Sequence, residues 1–359
     1  MENLKNKIIS IGFVIIIISV FIINMINKDK MISTSERRKL NQLPKITVAT
    51  IRNGEVTKKW ENYAVDQFIG RDFFRSIKAF YSLKIINQKD NNNLYEIDGG
   101  IYKMEYPLKT ANLEKSAKKI NDIYNKHLKN MNVYYSIIPD KSYYLKNDNH
   151  LKMDFNEIEK IMNENLKELQ YIDISEVLTI EDFYKTDLHW KQEELQEVIE
   201  KITTELGLQN KNTSYEAQNL GDFYGTYYGQ LGLKLSPDEM YILNNDIIEN
   251  CKVYNYETQE ITGVYNFKNS DDKYDVYLSG ATPLITIENP NASTTKELLL
   301  FRDSFGSSVA PLLVDNYKKI ILIDIRYMSS SLLDKYIEFD GQDVLFLYSA
   351  LVLNSGVFR

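Results

Sequence analysis

An α/β fold, with a parallel sheet flanked by helices and carried behind an apolar N-terminal helix, is what this sequence predicts. Three observations lead there. Residues 8–26, "IISIGFVIIIISVFIINMI", run without a charge. Further on, the short runs "NVYYSIIP", "ELLLF", "KKIILIDI" and "DVLFLYS" are separated by segments with helical spacing of apolar residues, the rhythm of a parallel sheet. Those runs are apolar throughout rather than alternating, as strands covered on both faces are.

Composition limits the rest. A chain of 359 residues buries one large core or two moderate ones. Its 43% hydrophobic and 26% charged content speaks against long disorder. A net charge of -7 without a basic block disfavours a nucleic-acid partner, which calls for a basic surface. The single Cys251 excludes an internal disulfide and fits either side of a bacterial membrane.

Taken in order, the 19 residues from Ile8 to Ile26 approach the ~20 needed to cross a bilayer. No small-residue cleavage site follows them, so residues 1–27 are expected to remain as a signal anchor. Lys28, Lys30, Arg37, Arg38 and Lys39 follow the segment and only Lys5 and Lys7 precede it, so charge alone points to a cytoplasmic body. Residues 28–55 are polar, contain Pro44 and read as a stalk, with a folded domain at 56–359. Between 56 and 87, Trp60, Tyr63, Phe68, Phe73, Ile77 and Phe80 recur at spacings near three and four; they predict amphipathic helices with these aromatics in the core.

A helix at 111–130, a strand ending at Pro139, a helix at 155–169 and the short strand "QYIDIS" come next. After His189, Leu195, Val198, Ile202 and Leu206 predict a helix that stops at Gly207. Residues 208–295, rich in Gly, Tyr and Asn, read as a β-rich insertion. Asn212 and Asn291 begin N-x-S/T triplets but are expected to be plain surface asparagines, since the Asn, Ile, Lys and Tyr usage suggests an AT-rich bacterial genome. Then "ELLLF", a helix near 308–316, "KKIILIDI", a helix near 330–337 and "DVLFLYS" resume the α/β rhythm.

Two stretches carry chemistry. "LLLFRDSFGSS" puts Ser304 at the carboxyl end of a buried strand, where open α/β sheets hold their ligands, and the turn and helix start offer backbone N–H groups to an oxyanion. "EDFYKTDLHW" puts Asp187 and His189 on a loop entering a helix. A serine needs a base and the base an orienting group, and these two residues supply those types. A loop pair and a strand-end turn with no catalytic role would show the same spacing.

Together, "FYKTDLHW", "FRDSF" and "IDIRYM" resemble the DHHW protein family, SGNH hydrolase-like relatives of the alginate O-acetylation proteins. The resemblance implies an SGNH hydrolase-like, flavodoxin-like sheet in which Asp187 and His189 precede Ser304, the permuted order of the alginate proteins. Leu188 stands where the family has its first histidine. Carried over, the motifs imply Ser304 as nucleophile, His189 as base and Asp187 as its partner. "DIRYM" and "YSALVLN" occupy the places of the SGNH oxyanion blocks, which makes Arg326 and Asn354 substrate or oxyanion candidates. An ion pair of Arg326 with Asp303 or Asp324, and a terminal turn at Asn354, are the alternatives. Asp140 and Lys141, after the "YYSIIP" strand, also reach a strand's carboxyl end.

The resemblance further implies an extracytoplasmic O-acetyltransferase working on a cell-surface polysaccharide through an acetyl-serine. A multipass membrane acyltransferase would hand over the acetyl group, and the chemistry needs no metal or cofactor. It sets aside the orientation read from charge. An esterase with the same triad, and a catalytically silent glycan-binding or scaffold subunit, remain open beside it.

Overall fold

Residues 2–146, 148–209, 211, 213–268, 270 and 272–359 are described by a computed structural model, in which the chain forms two units. One comprises the chain up to Asn92 with Tyr228–Lys234, and the other holds the rest.

The first unit begins with helix α1 (Glu2–Ile26). Its stretch Leu4–Ile26 is long and apolar enough to cross a membrane, and none of it is buried in protein, as a membrane anchor or a signal sequence requires. The segment read as a stalk is in part folded. It holds a hairpin of β1 (Ile32–Ser33) and β2 (Arg38–Lys39), then α2 (Val48–Arg52), capped by the Thr47 side chain on the Thr50 N–H. Helices α3 (Glu55–Asp66) and α4 (Arg71–Phe80) follow, and α4 runs on into a π-turn, Tyr81–Ile85. Buried Asp66 accepts from the Arg38 guanidinium and from both nitrogens of Asn41 (2.8 and 2.7 Å), tying the polar segment to α3. These helices lie where periodicity predicts them, but their aromatics do not form a core. Trp60, Phe73, Phe74 and Phe80 are exposed.

In the second unit, the hairpin β3 (Leu94–Ile97) and β4 (Gly100–Lys103) precedes α5 (Thr110–Ile123), β5 (Val133–Ile138), α6 (Phe155–Asn165), the two-residue β6 (Gln170–Tyr171) and α7 (Gln196–Glu205). Strand β7 (Glu216–Phe223), the short helix α8 (Thr226–Leu231) that leads into the first unit, β8 (Asp238–Asn244), α9 (Asp246–Asn250), β9 (Lys252–Asn255), β10 (Ile261–Thr262) and β11 (Leu284–Glu288) come next. The chain closes with β12 (Glu297–Arg302), α10 (Gly306–Leu313), β13 (Lys319–Ile323), α11 (Leu333–Tyr336), β14 (Asp343–Ser349) and α12 (Ala350–Ser355).

Eight strands form one sheet in the order β10-β9-β11-β13-β12-β14-β5-β6. From β13 to β6 the pairs are parallel, and β11, β9 and β10 extend the other edge antiparallel. The stretch 208–295 is β-rich, and its strands divide between two sheets. Its later strands complete the main sheet, because β11 finds the open edge of β13, while β7 and β8 pair with each other apart from it. Asn212 lies outside the described residues, and Asn291 is exposed.

Alternation along the central strands explains the layers. Leu298, Leu300, Leu345 and Leu347 face one core with Val198, Ile202 and Val309; Leu299, Phe301, Val344 and Phe346 face the other with Leu113, Ile120 and Ile158. Each such side chain contributes about 1.5–3 kcal/mol by leaving water. Strand β12 sits between β13 and β14, so the chain leaves it to one side and later crosses to the other. A crevice opens at the carboxyl end of a strand at such a switch point.

Candidate active site

Ser304 occupies the turn directly after β12, half-buried, at that switch point. The loop 184–189 comes to it as a closed hairpin: Phe183 bridges Trp190, the Tyr184 N–H donates to the His189 carbonyl (3.0 Å) and the Lys191 N–H to that of Asp182 (2.7 Å). His189 Nε2 lies 2.8 Å from Ser304 Oγ, across 115 positions of sequence. Its Nδ1 lies 2.6 Å from Asp187 Oδ1, which also accepts the His189 backbone N–H at 3.0 Å. An oxygen already accepting that bond leaves Nδ1 as the donor. Nε2 is then the free lone pair, aimed at the serine hydroxyl.

Each member is held by its surroundings. Asp187 is wholly buried, and its Oδ2 accepts the Thr226 N–H at 2.6 Å. That approach depends on Gly225, where a Cβ would stand 2.4 Å from the Asp187 Cβ and from the Thr186 carbonyl. Asp238 accepts from the Lys185 and Thr186 N–H groups, each at 2.8 Å, and from the Thr186 hydroxyl at 2.6 Å. The imidazole is stacked on Tyr274, with centroids 3.9 Å apart, and faces Phe305 at 4.7 Å. Ser308, one turn into α10, accepts from the Trp190 indole (2.8 Å) and the Tyr274 hydroxyl (2.9 Å). The serine-bearing turn and the histidine-bearing loop are thus joined by hydrogen bonds as well as packing.

The other predicted residues have other partners. Arg326 makes a double hydrogen bond with buried Asp324 (2.6 Å at its closest), and the Asn354 amide oxygen accepts the Lys109 N–H at 2.7 Å. Asp140 caps the turn after β5 by accepting from the Ser142 N–H at 3.0 Å. Its Oδ2 is buried without a hydrogen-bond partner among the described residues, and burial raises its carboxyl above the ordinary range. The turn's own backbone donors are engaged as well. The Phe305 N–H donates to Asp303 Oδ1, the Gly306 N–H to the Asp303 carbonyl and the Ser307 N–H to that of Ser304. Sequence spacing missed Thr226 and Tyr274, which carry no motif and reach the site only through the fold, and Ser308, which ends the "LLLFRDSFGSS" stretch but bonds to Trp190 and Tyr274 only in the fold.

Lys141 bears on the site indirectly. Fully buried, it donates to the carbonyls of Tyr184 (2.8 Å), Lys185 (3.0 Å) and Asp187 (2.6 Å), so it braces the loop that carries the histidine. Burial pulls its ammonium down from 10.5 to about 8. Between those values the unfolded chain keeps a proton that the folded chain has released. The Lys141 contribution to stability therefore rises as pH climbs through that window. In chemical denaturation, wild type should gain on Lys141→Met by up to about 3 kcal/mol between pH ~7.5 and ~10. A difference that stays flat with pH would refute this.

Residues 146–323 match the family described as DHHW protein. Curated proteins offer no match. Among solved structures, a DHHW family protein from Eubacterium siraeum is 18% identical with a TM-score of 0.60, covering 75% of this chain and 94% of its own. Bacillus cereus PatB1 with a sulfonyl adduct is 18% identical with a TM-score of 0.59, covering 75% of this chain and 98% of its own. These likenesses carry the fold alone, a mixed α/β domain around a parallel-rich sheet.

Proposed function

We propose that this DHHW-type chain is an O-acetyltransferase anchored by α1, with its second unit outside the cell, moving acetyl groups onto an envelope polysaccharide. One observation carries the catalytic part: His189 stands between Ser304 and Asp187 at 2.8 and 2.6 Å. In this reading Ser304 Oγ gives its proton to His189 Nε2 and bonds to the acetyl carbon. The donor's leaving group departs with that proton. A sugar hydroxyl then loses its proton to the same Nε2 and takes the acetyl group, and the proton returns to Ser304. Asp187 keeps Nδ1 protonated throughout and steadies the imidazolium as it forms. Acetyl as the group carried, polysaccharide as the acceptor and a multipass acyltransferase as the donor follow from the DHHW resemblance. The sulfonyl adduct in PatB1 supports looking for a nucleophile here with the same class of reagent.

One experiment tests nucleophile and sidedness together. A charged, membrane-impermeant sulfonyl fluoride added to intact spheroplasts should modify the peptide containing Ser304. An activated acetyl ester given to purified protein should add one acetyl group to that peptide, and an oligosaccharide acceptor should remove it. Modification only after lysis would place the body in the cytoplasm. Release of free acetate regardless of acceptor would make the protein an esterase, and no acylation at all would leave a scaffold.

A further inference from the structure

Helix α4 in the first unit packs the wrong way round for a helix in water. A helix on a globular protein buries its apolar stripe and leaves its charges outside. Here the face bearing Arg71, Arg75, Ala79 and Ser82 is turned inward. Arg71 and Arg75 are 15% and 18% exposed, and both pair with Glu36, Arg75 at 3.3 Å. Arg75 also donates to the carbonyls of Gly229 (3.0 Å) and Gln230 (2.9 Å). The opposite face carries Phe73, Phe74, Ile77 and Phe80, and Phe73 and Phe80 are 65% and 53% exposed. Tyr81, Ile85 and Ile86 extend that exposed apolar surface beyond the helix end. A continuous patch of this kind marks a contact with something other than water.

The neighbouring contacts say what that is. The Ile69 N–H, in the turn before α4, donates to Asn24 Oδ1 of α1 at 2.8 Å. Asn24 lies in the last turn of the apolar helix, so this bond sets the start of α4 at the depth where α1 would leave the hydrocarbon. Trp60, Tyr63 and Phe68 line one groove with Phe21, Asn24 and Met25 of α1, and Trp and Tyr are the side chains that favour such an interface. Residues 28–90 contain fourteen Lys and Arg against seven Asp and Glu, in a chain whose net charge is -7, a local surplus that suits anionic headgroups.

We propose that the Phe73–Phe80 face of α4, with the π-turn after it, lies in the headgroup layer of a membrane rich in anionic lipid, as an interfacial helix beside the α1 anchor. This rests on α1 remaining in the membrane, as in the function proposed above. The basic face of α4 binds the protein, its aromatic face binds the lipid, and the unit is thereby fixed against the bilayer at two points.

Cys251 is buried, so a single introduced cysteine can be labelled selectively in the full-length chain. Ile17→Cys, Ile77→Cys, Phe80→Cys and Ile261→Cys would each carry a bimane in nanodiscs of phosphatidylcholine and phosphatidylglycerol containing doxyl-labelled lipid. Positions 17, 77 and 80 should lose about half or more of their fluorescence to the quencher, while the exposed Ile261 position in the second unit should not change. Quenching at 17 with none at 77 and 80 would overturn the proposal, leaving the anchor in place and giving the aromatic face to a protein partner. Quenching at 77 and 80 without 17 would take α1 out of the membrane and overturn the proposal in this form, leaving α4 as a lipid contact by itself. No quenching at any of the three would refute both.

Discussion

Ser304→Ala should lower kcat/KM for acetyl transfer by ~10³-fold or more and abolish the acetylated peptide, while leaving the fold intact. The fold survives because Ser304 is only half-buried and its Oγ bonds to His189, an interaction the alanine variant lacks without stranding a backbone group. His189→Ala should be nearly as damaging, since the hydroxyl loses its base. The double variant should be scarcely worse than either single one, because the residues act as a unit. Asp187→Asn is the subtler test. The amide fills the same space but keeps one acceptor oxygen, so its NH2 faces either the His189 Nδ1 and N–H or the Thr226 N–H, all of which the carboxylate accepts from. A loss of about 10²–10⁴-fold is expected from the wrong tautomer. Single-turnover transfer by folded variants decides it, and a Ser304→Ala protein that still transfers acetyl would end the proposal.

Asp303→Ala should be the most destabilising single change near the site. Its carboxylate, wholly buried, accepts from the Phe305 N–H at 3.0 Å and from the Ser349 N–H and hydroxyl at 2.8 and 2.7 Å. It thereby joins the serine-bearing turn after β12 to the end of β14. Truncation leaves two backbone donors without this acceptor inside the protein, at about 1–3 kcal/mol each, so a loss of roughly 3 kcal/mol or more is expected. Asp303→Asn keeps one acceptor oxygen and should lose less. The denaturation midpoint of the full-length protein measures both, and a shift equivalent to less than ~1 kcal/mol for the alanine variant would contradict this account.

The elements themselves were legible in the sequence. Helix and strand periods are local, so the spacing of Leu113, Ala117 and Ile120 or the unbroken run of β14 needs no tertiary information to be read. The pairing of Asp187 with His189 is local too. It does not pick out a site, however, because Asp148 and His150 form the same pair at the same 2.6 Å.

What the chain's neighbours in space are, only the fold decided. Ser304 meets His189 because β12 ends at the sheet's switch point and the 184–189 loop is clamped by Lys141, Asp238 and Thr226; no property of the two segments states that distance. Arg326, Asn354 and Lys141 sit near strand or helix ends as expected, yet their hydrogen-bond partners come from other parts of the fold or from their own turn. The edge strands within 208–295 read as an insertion because their partner, β13, follows later in the chain. For α4 the sequence determined that one face is apolar and the other charged. Which face meets protein was set by Glu36 and the carbonyls of Gly229 and Gln230, because a period records the contrast between two faces and carries no record of what each one touches.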